Sequence, residues 1–142
     1  MEYDEFVKRV RETAELDSRE QALRAVEATL GTLGELLSKT EREDLAAELH
    51  KPLKGYLHVW TEHPKGLNRP RRFGLEEFYN RVAARSGVRH PAAVKHSRAV
   101  MKVLRQAVSQ GELADVFREL PDEYDELLTG KPRGPLSPSI VR

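Results

Sequence analysis

Residues 28–57, ATLGTLGELLSKTEREDLAAELHKPLKGYL, and residues 99–128, AVMKVLRQAVSQGELADVFRELPDEYDELL, pair without a gap at a separation of 71. The identical pairs are Ala28/Ala99, Leu33/Leu104, Ser38/Ser109, Glu41/Glu112, Asp44/Asp115, Glu48/Glu119, Leu49/Leu120 and Leu57/Leu128. Several other pairs set apolar against apolar, as in Leu30/Met101, Leu37/Val108 and Leu45/Val116. Upstream, Tyr3-Asp4-Glu5-Phe6-Val7-Lys8-Arg9-Val10 matches Leu75-Glu76-Glu77-Phe78-Tyr79-Asn80-Arg81-Val82 at a separation of 72. One deleted residue near position 17 reconciles the two registers. Duplication of a unit of roughly 55 residues is the economical explanation.

The apolar spacing inside each copy is helical. Tyr3, Phe6, Val10 and Ala14 fall at three- and four-residue intervals, as do Leu75, Phe78 and Val82. Asp17-Ser18-Arg19-Glu20 reads as a capping box with Asp17 at the N-cap, and Thr40-Glu41-Arg42-Glu43 as a second. Gly87 suits a helix C-terminus and Pro91 the first turn of the next helix. The long second helix is expected to run to about Ser38 in one copy and Ser109 in the other. Pro52 and Pro121 mark a further break before a last helical stretch ending near Leu57 and Leu128. Strand signals are weak: β-branched residues are sparse, and no Asn-Gly or Asp-Gly turn joins two alternating runs.

The expected fold is therefore all-α, with two tandem copies of a four-helix unit packed as one eight-helix, bundle-like domain around an approximate internal two-fold. A unit of about 55 residues is marginal alone, so a shared core is the physical reason to keep both copies on one chain. The first repeat is assigned to residues 1–57 and the second to 73–128. Between them, residues 58–72 form a basic linker with Pro64, Gly66 and Pro70, which Trp60 is expected to pin to the body. The Pro- and Gly-rich stretch 129–142 is expected to be a disordered tail.

Composition excludes several classes of chemistry. The 142 residues contain no cysteine, which rules out disulfides, thiol catalysis and cysteine-ligated metal centres. No apolar run approaches the length of a membrane span, and the start Met1-Glu2-Tyr3-Asp4-Glu5 lacks the character of a secretory signal. A soluble cytoplasmic protein, not a membrane one, is the expectation. Charged residues make up 33% of the chain but the net charge is only +1, so the distribution of charge is more informative than its sum.

That distribution is uneven. From Phe78 through Gly111 there is no acidic residue, while Arg81, Arg85, Arg89, Lys95, Arg98, Lys102 and Arg105 give +7. On a helix Lys95, Arg98, Lys102 and Arg105 fall within an arc of about 80°. Ala93, Ser97, Val100, Leu104 and Ala107 lie opposite, as a core face would. Such a ridge could meet phosphates, with Arg69, Arg71 and Arg72 (and Lys65) of the linker adding to its field. The competing reading is a solvated face partly neutralised by Asp122, Glu123, Asp125 and Glu126. No aromatic residue interleaves the ridge to stack bases.

No other chemistry has a motif. His50, His58, His63, His90 and His96 form no His-Glu-x-x-His or Glu-x-x-His pattern. Gly130-Lys131 lacks a preceding Gly-rich loop, and no serine sits in Gly-x-Ser-x-Gly. Glu76-Glu77 fits the favourable dipole at a helix start. The aromatics Tyr3, Phe6, Trp60, Phe78, Tyr79, Phe117 and Tyr124 read as core. No catalytic, metal or cofactor residue is assigned.

Tyr3-Asp4-Glu5-Phe6, Glu43-Asp44-Leu45-Ala46-Ala47-Glu48-Leu49 and Leu75-Glu76-Glu77-Phe78 together resemble a bacterial family catalogued as domain-of-unknown-function family 2267. The resemblance spans residues 3–128, linker included. It implies an all-helical duplicated fold with no assigned activity, and it carries over no catalytic residue. The expected role is a non-enzymatic protein-interaction or scaffold module with a protein partner. The alternative is RNA, DNA or another polyanion on the basic ridge. Nothing in the sequence specifies an oligomeric state.

Overall fold

The computed structural model describes residues 1–61 and 72–129, and among them every regular element is helical. The helices are α1 (Tyr3–Thr13), α2 (Arg19–Leu36), α3 (Lys39–Ala47), α4 (Leu53–Tyr56), α5 (Leu75–Ser86), α6 (His90–Ala107), α7 (Gln110–Arg118) and α8 (Asp125–Thr129). A 3-10 turn, Asp122–Tyr124, leads into α8. Thr129 closes α8 instead of opening a tail, and residues 130–142 lie outside the described residues.

Two long helices organise the core. α2 and α6 pack on each other, and each also packs on both α1 and α5. From Ala28 to Leu36 every residue of α2 is buried. A helix enclosed on all sides needs neighbours all round, and here α1 and α4 come from before the linker, α5 and α6 from after it. Phe6, Val10, Leu30, Leu33, Phe78, Val82, Met101, Leu104 and Tyr124 are wholly inaccessible to solvent and belong to one continuous cluster. Most of the aromatics expected in the core are there, although Tyr3, Trp60 and Phe117 keep part of their surface exposed.

Both capping assignments need correction. The cap of α2 is Ser18, whose Oγ accepts from Gln21 N–H at 3.2 Å, while Gln21 Oε1 accepts from Asp17 N–H at 2.9 Å. The box is thus Ser18–Gln21, one residue along from Asp17–Glu20. The cap of α3 is Ser38, accepting from Glu41 N–H at 3.2 Å, two residues before Thr40. Glu41 does not reach back to the serine as a capping-box acid would. Glu119 takes that place from α7's end, accepting from Ser38 N–H and Oγ–H, both at 2.8 Å. The other half mirrors this. Ser109 caps α7, and Glu48 accepts from its N–H at 2.7 Å and its Oγ–H at 2.9 Å. Each third helix is completed by a glutamate from the opposite half.

Freed from capping, Glu41 turns inward and meets Glu112 where α3 crosses α7. Both are buried, and one carboxylate oxygen of each has no donor among the described residues. Two facing carboxylates can bond only by holding a proton between them. Burial first, then the Glu112 carboxylate, and then the charges of Glu119 and Asp115, push Glu41 up to about 8. Folding therefore favours protonated Glu41. The stabilisation is complete below the ordinary value of 4.5 and disappears as pH rises through about 8. Melting followed by circular dichroism should show lower stability at pH 9 than at pH 5. Glu41→Gln should flatten that dependence, raising stability at pH 9 by about 2 kcal/mol.

The first helix of each half ends on a left-handed residue. After α5 this is Gly87, at φ 72°, as expected for a helix C-terminus. After α1 it is Glu15, at φ 57°, where a side chain costs on the order of 1 kcal/mol. Its exposed ion pair with Lys95 recovers little of that. Glu15→Gly should raise the unfolding free energy in urea by about 1 kcal/mol. Gly87→Ala should lower it by a similar amount, because a methyl group there meets no neighbour and only the backbone conformation is penalised.

Candidate binding groove on the basic ridge

α6 places the four ridge cations as the helical arc requires. Ala93, Ser97, Val100 and Leu104 are buried on the far side, and Lys95, Lys102 and Arg105 are exposed, with Arg98 half-buried. The buried surface is wider than one face, because His96, Ala99, Met101 and Val103 are covered too. Such breadth follows from α6 packing against four helices, α1, α2, α5 and α8.

Between this ridge and α8 runs an open groove of about 570 Å³. Pro91, Val94, Ala99 and Leu128 give it apolar walls. Lys95, Arg98, Lys102 and Arg105 give it a positive rim, with Thr13 and Thr129 at its ends. The cations differ in how far they are already engaged. Arg98 is paired with Glu126 at 2.9 Å, and the Tyr79 hydroxyl donates to the same carboxylate at 3.0 Å. Burial first, and then the Glu126 carboxylate, push the Tyr79 phenol up to about 12. Lys95 meets Glu15 at 3.2 Å, and Arg105 donates to the Leu128 carbonyl at 2.9 Å. Lys102 alone of the four has no partner among the described residues.

The rest of the acid-free run does other work. Arg81 and Arg85 both point at Glu35, a buried carboxylate of α2; Arg81 reaches it at 3.0 Å. Arg85 also donates to Thr32 at 2.9 Å. Their guanidinium groups stack on Phe73 and Trp60 at 4.1 and 4.0 Å. At the corresponding place in the other half, Arg9 donates to Gln106 at 3.0 Å. Of the linker arginines, Arg72 is exposed and lines a separate recess with Ser38 and Glu119. Arg69 and Arg71, with Lys65, lie outside the described residues.

The histidines are scattered. His50 pairs with Glu2 at 2.9 Å and His90 with Glu76, both at the surface. His58 accepts from Arg42 at 3.2 Å, and burial followed by the Arg42 charge keeps it below its ordinary pKa. His96 is buried and likewise lowered, by burial and then Lys95. Among the described residues no group of three His, Asp or Glu side chains is placed to hold a metal ion, and no helix is long and apolar enough to cross a membrane.

Sequence reading found the ridge but not the groove. The competing reading of a neutralised face named Glu126 among its acids, but nothing in the sequence pointed to Glu35 as the partner of Arg81 and Arg85. Glu35 stands 46 and 50 residues from Arg81 and Arg85, and Glu126 stands 28 from Arg98, so only folding brings these pairs together; Arg81 also pairs with Glu77 one turn away.

Fold and groove together define an all-helical protein with an enclosed core and a cationic ridge beside an apolar cleft. The model of a family described as an uncharacterised conserved protein, DUF2267, matches residues 3–127, and the chain belongs to that family. No curated protein matches it.

The two kinds of cation should separate on mutation. Glu35→Gln, which leaves Arg85 without its carboxylate and Arg81 with Glu77 alone, should cost about 3 kcal/mol in urea unfolding. Lys102→Glu should change stability by less than about 0.5 kcal/mol, as for an ordinary surface site.

Proposed function

We propose that the protein is a non-enzymatic protein-interaction module whose groove between α6 and α8 receives an acidic segment of a partner. The observation that carries this reading is the pairing of apolar walls with a positive rim. Pro91, Val94 and Leu128 offer area that gains from leaving water, and Lys95, Lys102 and Arg105 attract carboxylates and fix their register. The body that holds the groove is, in this reading, two copies of a four-helix unit related by an approximate internal two-fold. Support comes from exchange of partners between the halves: Ser38 with Glu119 against Ser109 with Glu48, and Glu41 against Glu112.

A second reading, binding of RNA or DNA, draws on the run from Phe78 to Gly111 without an acid and on unpaired Lys102. It is weaker, because Arg98 is neutralised by Glu126 and no aromatic side chain lines the groove among the described residues.

Fluorescence anisotropy separates the two. A labelled peptide alternating Glu and Leu, and single- and double-stranded RNA and DNA, would be titrated at low and near-physiological salt. The expected result is micromolar binding of the peptide that weakens with salt, falls about ten-fold or more in Lys102→Glu/Arg105→Glu, and exceeds that of the nucleic acids. Nucleic acid binding tighter than the peptide would make the second reading the function. No peptide binding at low salt would refute the first.

A further inference from the structure

The two halves treat the corresponding cleft differently. At a separation of 71, Lys102 corresponds to Gly31, Arg105 to Gly34 and Leu128 to Leu57, and at 72 Arg85 corresponds to Thr13. In the first half the cleft is full. The Trp60 ring lies directly on Gly31, leaving no room for a Cβ, and the Leu57 backbone closes on Gly34 in the same way. Arg85 covers the outer face of the indole at 4.0 Å.

The second half keeps the apolar wall and loses the plug. Where the glycines stood are Lys102 and Arg105, and both line the groove of about 570 Å³ beside Leu128. Where Trp60 stood the sequence has Lys131, outside the described residues, and no described aromatic side chain lines the space.

We infer that this groove is the open counterpart of the slot that Trp60 fills, and that it takes an aromatic side chain, flanked by carboxylates, from a partner protein. The inference rests on the docking reading above and adds the anchor. An indole or phenol ring would bury against Val94 and Leu128, as Trp60 does against α2, and one ring face would lie under Lys102 or Arg105, as Trp60 lies under Arg85. A ring brings a large apolar area at small entropic cost and attracts a cation to its face. Acidic flanks answer Lys95, Lys102 and Arg105, which stand exposed along the rim.

Three labelled peptides of equal length test it on the full chain: acidic flanks around Trp, the same flanks around Ala, and neutral Asn/Gln flanks around Trp. The acidic Trp peptide should bind about ten-fold or more tightly than either of the others. In methyl NMR it alone should move the Val94, Ala99 and Leu128 signals upfield by ring current. Val94→Trp, which fills the groove from within while keeping every charge, should abolish the preference for Trp over Ala. Lys102→Glu/Arg105→Glu, with helicity and melting checked by circular dichroism, should weaken the acidic peptides whatever their central residue.

Equal binding of the acidic Trp and Ala peptides would overturn the aromatic anchor and leave the docking reading standing. Ring-current shifts away from these methyl groups would overturn the placement. Failure of all three peptides to bind would remove both.

Discussion

The stretch of α2 from Ala28 to Leu36 is buried on every side, and this is the constraint on which the rest of the structure depends. Half the chain cannot enclose it. α1 and α4 cover part of its surface, and α5 and α6 supply the remainder from beyond the linker. α6 is buried over a broad face but open along its ridge, and it packs on α1, α2, α5 and α8. The two long helices thus enforce one core. The polar crossing of α3 and α7 then fixes how the halves meet, because each third helix takes a glutamate from the opposite half for the amide at its own start.

This crossing explains which residues the two sequence stretches share. Ser38/Ser109, Glu48/Glu119 and Glu41/Glu112 are identical pairs, and they are the residues that meet across the junction. A hydrogen-bonded cap needs particular atoms at particular distances. Core positions need only volume, so Leu30 can face the same task as Met101 and Leu45 as Val116. The helical class was legible from the apolar spacing. The caps were legible only to within two residues, because Asp, Ser and Thr all suit a helix start and several stand side by side at 17–18 and 38–40.

The electrostatic part of the site was half legible. Helical geometry placed Lys95, Arg98, Lys102 and Arg105 on one ridge, where they are found. Glu126 stood among the acids expected to neutralise the ridge, and it does pair with Arg98; that Glu15 meets Lys95 from a left-handed turn, or that Glu35 collects Arg81 and Arg85, could not be seen. Those pairings are tertiary. The groove was written in the replacement of Gly31 and Gly34 by Lys102 and Arg105, but its meaning depends on knowing that Trp60 lies on Gly31. Trp60 fills the cleft over Gly31 in one half, whereas in the other a groove of about 570 Å³ lies beside Lys102 and Arg105.

The dependence of each long helix on the other half is open to direct measurement. Native-state hydrogen exchange would be followed for the slowest amides of α2 and α6, in the unaltered protein and in Leu104→Ala, a truncation of a wholly buried α6 side chain. The shared core requires both sets to exchange at one common free energy, and both to fall together by about 3 kcal/mol in the variant. Loss of protection confined to α6, with α2 unchanged, would contradict it and would mean that the halves fold as separate bodies.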